Sequence, residues 1–173
     1  IVEPGNKTPT GTEVAGMVLS KRRNSAKVII DVGGGFGADA HGHLKENQVD
    51  SYPYMGMKQS VAHTENGQHR FSNIRTQAWW RFREELNPDQ QGGSVIALPP
   101  DPELRADLAA PTYTVNAKGI LIEDNADLRK RLGRSPGKCD AVVMCLSEGN
   151  AAIRRVMRRQ SDRPSSYLAG QRG

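Results

Sequence analysis

Asp31 closes the run Val28-Ile29-Ile30-Asp31 and is followed by Val32 and three glycines, Gly33, Gly34 and Gly35. The β-branched residues suit a buried strand, and an unpaired carboxylate inside one is costly. Asp31 is therefore expected where the strand ends and a partner receives its charge. Three partners suit it: a metal ion, a ribose hydroxyl or amine of a cofactor, or the backbone amides of a following helix. A second acid with chemical promise, Asp140, lies in Ser135-Pro136-Gly137-Lys138-Cys139-Asp140-Ala141. That segment opens a helix, whose dipole favours an acid in its first turns, so the local reading of Asp140 is a helix-start acid.

The glycine segment fits several templates. As Gly33-x-Gly35-x-x-Ala38 it has the dinucleotide fingerprint, but Asp31 beside a pyrophosphate would repel it. As Ile-Asp-Val-Gly-Gly-Gly-x-Gly it is similar to the first motif of S-adenosylmethionine-dependent methyltransferases, where Asp50 would be the acid that holds the ribose. As a strand-tip acid before a tight turn it suits a divalent cation. The local pattern leaves this choice open.

The elements that must position these acids follow from pattern. Thr10 or Thr12 caps a helix carrying Val14, Met17 and Val18, ending near Arg23-Asn24. The strand Val28–Val32 comes next, then a helix over Phe36–Asn47. Val49–Met55 is a second strand, weakened by Pro53. Residues 57–71 read as a long polar loop. Asn73 caps a helix through Leu86 with Ile74, Ala78 or Trp79, Phe82 and Leu86 on one face. Val95–Leu98 is expected as a strand and Asp101-Pro102 as the start of a short helix through Leu108. Thr112–Val115 and Gly119–Ile122 form a hairpin around Asn116-Ala117-Lys118. Asn125–Leu132 is a short charged helix, and a last helix runs from Ser135-Pro136 through about Leu146. Alternating strands and helices place the chain in the α/β class, the hairpin making its sheet mixed.

Composition narrows the function classes. With 173 residues, 36% of them hydrophobic, the chain suits one domain over 1–150. No apolar run approaches a membrane span, and no secretory leader is visible. Cys139 and Cys145 read as reduced thiols. The net charge of +5 belongs wholly to residues 151–173, where six arginines face Asp162, so this tail is read as a basic, partly flexible extension. His41 and His43, two apart on a helix, do not share a face as metal ligands should. Trp79 is expected in the core and Trp80 partly exposed.

Several blocks together resemble one family. Arg131–Ala141 resembles the Ser-Pro-Asp-x-x-Asp-Ala motif near the end of the nuclease domain of large terminase subunits, the DNA-packaging motors of tailed phages. Ala26–Leu44 is similar to the family's strand-acid-glycine segment. Asn73-Ile74-Arg75, Leu98–Leu108, Ile120-Leu121-Ile122-Glu123-Asp124 and Leu128-Arg129-Lys130-Arg131 then follow in the family's order. The resemblance implies a ribonuclease H-like mixed sheet flanked by helices, with a β-hairpin insertion. It implies metal-dependent endonucleolytic cleavage of concatemeric double-stranded viral DNA, with two Mg²⁺ or Mn²⁺ ions that activate water and stabilise the leaving oxygen. By position Asp31 matches the family's second acid and Asp140 its last, both as catalytic metal ligands. The family's first acid stands on an opening strand that would precede Ile1. Gly137 stands where another Asp is common, and Asn125 where a Lys is frequent. Glu123, Asp124 and Asp39 read more simply as turn or helix-start acids. Arg129, Lys130, Arg131, Arg134 and Lys138 are expected to meet DNA phosphates. Double-stranded DNA, the portal protein and the small terminase subunit are the implied partners, in the cytoplasm of an infected or lysogenic bacterial host, with no membrane. The competing expectation is a catalytically incomplete fragment that binds DNA or a packaging protein.

Overall fold

The computed structural model describes residues 3, 8–90, 93–94 and 96–147. The basic tail expected over 151–173 lies outside the described residues, as does any continuation of the last helix. Helix α1 (Gly11–Lys21) starts at Thr10, whose hydroxyl accepts from the Glu13 amide while the Glu13 carboxylate accepts from the Thr10 amide. Such a reciprocal cap contributes about 1 kcal/mol. Strand β1 (Val28–Asp31), helix α2 (Phe36–Glu46) and strand β2 (Ser51–Tyr54) make a βαβ unit. The two strands run parallel, with Val28 opposite Ser51 and Asp31 opposite Tyr54. Pro53 is tolerated because it stands exposed on this short ladder.

Helix α3 (Ile74–Leu86) begins at Asn73, whose side chain accepts from the Thr76 amide. Helix α4 (Pro102–Ala109) begins at Asp101, which takes the amides of Glu103 and Leu104. Strands β3 (Tyr113–Asn116) and β4 (Gly119–Ile122) form the expected antiparallel hairpin. Helix α5 (Asn125–Leu132) closes on Gly133 in the left-handed conformation, and a final helix, α6, occupies 137–147. None of the described helices is long and apolar enough to cross a membrane.

The sheet differs from the expectation of one mixed sheet. Among the described residues there are two separate two-stranded ladders, β1-β2 and β3-β4. The hairpin pairs with the rest of the chain through the isolated bridge of Phe71 to Ile120, and it meets α3 where Ile122 donates to the Thr76 hydroxyl and Tyr113 packs edge-on against Trp80. Residues 96–98 form no strand, and they are followed by Pro99-Pro100, which have no amides to give a ladder. Ile96 and Leu98 instead pack irregularly against the larger core cluster of Ala78, Trp79, Phe82, Leu104, Cys139 and Val143. A smaller cluster of Ala15, Leu44 and Val49 lies between α1, α2 and the first ladder. Apolar content alone announced burial at 96–98, but a strand also needs an edge to pair with.

The segment 57–71 is less open than its composition suggests. Met57 and Val61 are exposed, but Ser60, Thr64 and Phe71 are buried. The Ser60 hydroxyl donates to Gln77 on α3, and His63 bridges to Arg70 across a turn organised by Thr64.

Candidate functional site

Asp31 sits at the C-terminal tip of β1 and is exposed, as expected of an acid carried to a strand end. Its Oδ1 accepts the Gly33 amide at 2.9 Å. Gly34 and Gly35 turn the chain with φ of +113° and +95°, a region other residues enter at a cost. Gly37 matters more for position. A Cβ there would lie 1.8 Å from the Asp31 carbonyl oxygen, so only glycine lets the first turn of α2 press on the strand tip.

Asp140, on α6, is surrounded by donors. Its Oδ1 accepts from Trp79 Nε1 at 3.1 Å and from Arg75 Nη2 at 3.3 Å. Its Oδ2 accepts from Asn125 Nδ2 at 2.5 Å. Arg75 and Trp79 are one turn apart on α3, so both reach the same place. Arg75 is anchored elsewhere as well, donating to the Glu123 carbonyl at 2.7 Å and to Asn125 Oδ1 at 2.6 Å. These three partners were not identified from sequence, although the spacing of Arg75 and Trp79 in front of a buried face was the available signal.

The structure brings Asp31 and Asp140 to one cleft of roughly 900 Å³, with Tyr54, Arg75, Asn125 and Asp124 also on its walls. Tyr54 reports on both acids. Burial pushes its hydroxyl well above the ordinary tyrosine value, Arg75 opposes this, and Asp140 and Asp31 each add to it. Glu123, on the same wall, is committed to Arg131, which grips it through Nε at 3.1 Å and Nη2 at 2.6 Å. That pairing, with the Thr112 amide, holds its carboxyl down at about 2. Beneath the floor, burial and the Asp140 charge push the Cys139 thiol up to about 12, so it is an inert core residue.

The other acids have structural duties. Asp39 accepts the Gly11 amide at 3.0 Å and ties α2 to the start of α1. Asp124 caps α5 through the Asp127 amide. Asp50 is exposed and is not on the cleft wall, so it does not join Gly33 and Gly34 as a ribose-holding acid would. His43 meets Thr12, Asp39 and Glu46, and His41 meets Ser51.

Among the described residues no three His, Cys, Asp or Glu side chains converge as a cation centre. Asp31 offers an open carboxylate, but both oxygens of Asp140 are already taken, one by a guanidinium. As arranged, the residues present do not fit a two-cation centre. The basic residues expected to face DNA divide in two. Arg131 is consumed by Glu123, Arg134 by the buried Asp107, and Lys138 by Glu103 and Asp101. Arg129 and Lys130 stay exposed, their partners being Ser135 and Asp127 on the surface.

No family model matches the chain, and no curated protein matches it. Among solved structures, the chain is similar to a mutant nuclease domain of the large terminase subunit gp2 of bacterial virus Sf6, solved with manganese and beta-thujaplicinol. The match has a TM-score of 0.52 at 16% identity and covers 78% of this chain and 70% of that one. The chain is thus similar in fold to the nuclease domain of a bacterial-virus large terminase subunit.

Proposed function

We propose that this chain is a nuclease domain of the terminase type, ribonuclease H-like with a hairpin insertion, which cuts the phosphodiester backbone of double-stranded DNA. One observation carries the reading: two acids 109 residues apart in sequence, Asp31 and Asp140, line a single cleft on a fold similar to such a domain. The open Asp31 is the group positioned to meet a scissile phosphate or its attacking water. Asp140, oriented by Trp79 and Asn125, is the second acid proposed for the same cleft. Arg129 and Lys130 are the exposed cations on α5 proposed to reach the phosphates. The substrate proposed is concatemeric viral DNA, with the portal protein and small subunit as partners inside the bacterial host.

The test is nicking of a supercoiled plasmid by the full chain with Mn²⁺, with Mg²⁺ and with chelator. Cation-dependent nicking that disappears in Asp31→Ala, with the fold intact, supports the proposal. Equal nicking by Asp31→Ala excludes it.

A second reading is favoured by the capture of Asp140 and the lack of a third converging acid among the described residues. In that reading the chain alone binds DNA or a packaging protein and cuts nothing. Retained DNA binding without nicking under any cation would select it.

A further inference from the structure

One cause of the mismatch between the cleft and a cation centre lies in a single side chain. We infer that Arg75 is the resident cation of Asp140, a latch that keeps Asp140 from serving as a ligand to a divalent ion. The inference rests on the nuclease reading in one respect: it takes a divalent ion as the competitor.

Arg75 is built to stay where it is. Its side chain is 12% exposed, and its short hydrogen bonds go to neutral acceptors, the Glu123 carbonyl at 2.7 Å and Asn125 Oδ1 at 2.6 Å. Against Asp140 it makes one longer contact, 3.3 Å from Nη2. The committed ion pairs of this protein look different. Arg131 clasps Glu123 with two nitrogens, and Arg134 clasps Asp107 with two. Two-pronged pairs of that kind hold geometry more firmly than a single prong does. Asn125 joins the two halves, giving its Nδ2 to Asp140 and its Oδ1 to Arg75. Asp140 therefore leans on a fixed guanidinium without being locked to it.

The energetic sense of the latch follows. A divalent ion approaching Asp140 loses attraction because the carboxylate charge is already offset, and it meets the repulsion of the guanidinium, which its own anchors prevent from leaving. Asp31 lies outside this arrangement, with one backbone donor and an exposed side chain.

The experiment measures Mn²⁺ binding to the full chain without DNA, by the spin-resonance signal of free manganese. Arg75→Met removes the charge and keeps the length, and about a tenfold or greater gain in Mn²⁺ affinity is expected from deleting a cation so close to the ligand. The gain should vanish when Asp140→Asn is added. Asn125→Ala, at an exposed position, should give a smaller gain in the same direction and serves if Arg75→Met does not fold. Affinities at or below that of the unaltered chain in both variants overturn the latch. Tighter manganese binding with no plasmid nicking would sustain the latch and sink the nuclease reading. Nicking by the unaltered chain with no gain in the variants would do the reverse.

Discussion

Asp31 and Asp140 share a cleft and a residue type but little else. Asp31 is exposed at a strand tip and accepts one backbone amide. Asp140 is 20% exposed and is held by a guanidinium, an indole and a carboxamide from two helices. Glu123, on the same wall, is further along this series, gripped by Arg131 and Thr112. The gradient teaches that proximity to a cleft does not make an acid reactive. What counts is how many donors the fold has already assigned to it.

Substitutions at several places along this series should have effects of different size. The largest effect is expected from Gly37→Ala, whose new methyl meets the Asp31 carbonyl. It should cost about 3 kcal/mol in chemical denaturation, as overpacking against backbone does, and should displace Asp31 from the cleft. Asp140→Ala comes next. It strips a mostly buried Arg75 of its carboxylate, a loss of about 3 kcal/mol in a fully buried pair. Discounted for the exposure of both side chains, about 2 kcal/mol is expected in urea denaturation. Asp140→Asn, which keeps an acceptor, should lose less.

A pH titration sharpens the far end of the series. Glu123 has its folded value depressed from 4.5 to about 2, chiefly by its hydrogen bond to Arg131. A depressed carboxylate adds stability above its unfolded value and loses it as pH falls through the folded one. Its contribution should thus be complete above about pH 5 and decay between about 4.5 and 2, as side-chain NMR of Glu123 would show. In Arg131→Ala the Glu123 titration should return toward the ordinary carboxylate range. The smallest structural effect belongs to Asp31→Ala, which should shift stability by no more than about 0.5 kcal/mol. Its effect should fall on activity instead.

Much of this was legible in the sequence because it is local. The Asn73 and Asp101 caps, the hairpin turn at Asn116-Ala117-Lys118 and the strand-tip position of Asp31 all depend on neighbours within a few residues. That Asp31 and Asp140 line one cleft was expected from the family pattern rather than from periodicity. What escaped was the assignment of charges over long separations. Arg134 and Lys138 read as a DNA-facing run, yet their acids are Asp107 and Glu103, 27 and 35 residues earlier on α4. Arg75 is placed by sequence only within the block Asn73-Ile74-Arg75, and its partner lies 65 residues on. The missing strand at 96–98 is the same lesson for the backbone, since a ladder requires a neighbour that a local pattern does not reveal.

Whether Asp31 and Asp140 work as one unit in the proposed DNA cleavage is tested most directly by a double-mutant cycle on plasmid nicking with Mn²⁺. Asp31→Ala and Asp140→Ala are each expected to abolish most of the rate, and combining them should lose almost nothing more. Losses that simply multiply would mean that the two acids act independently and do not form a shared site.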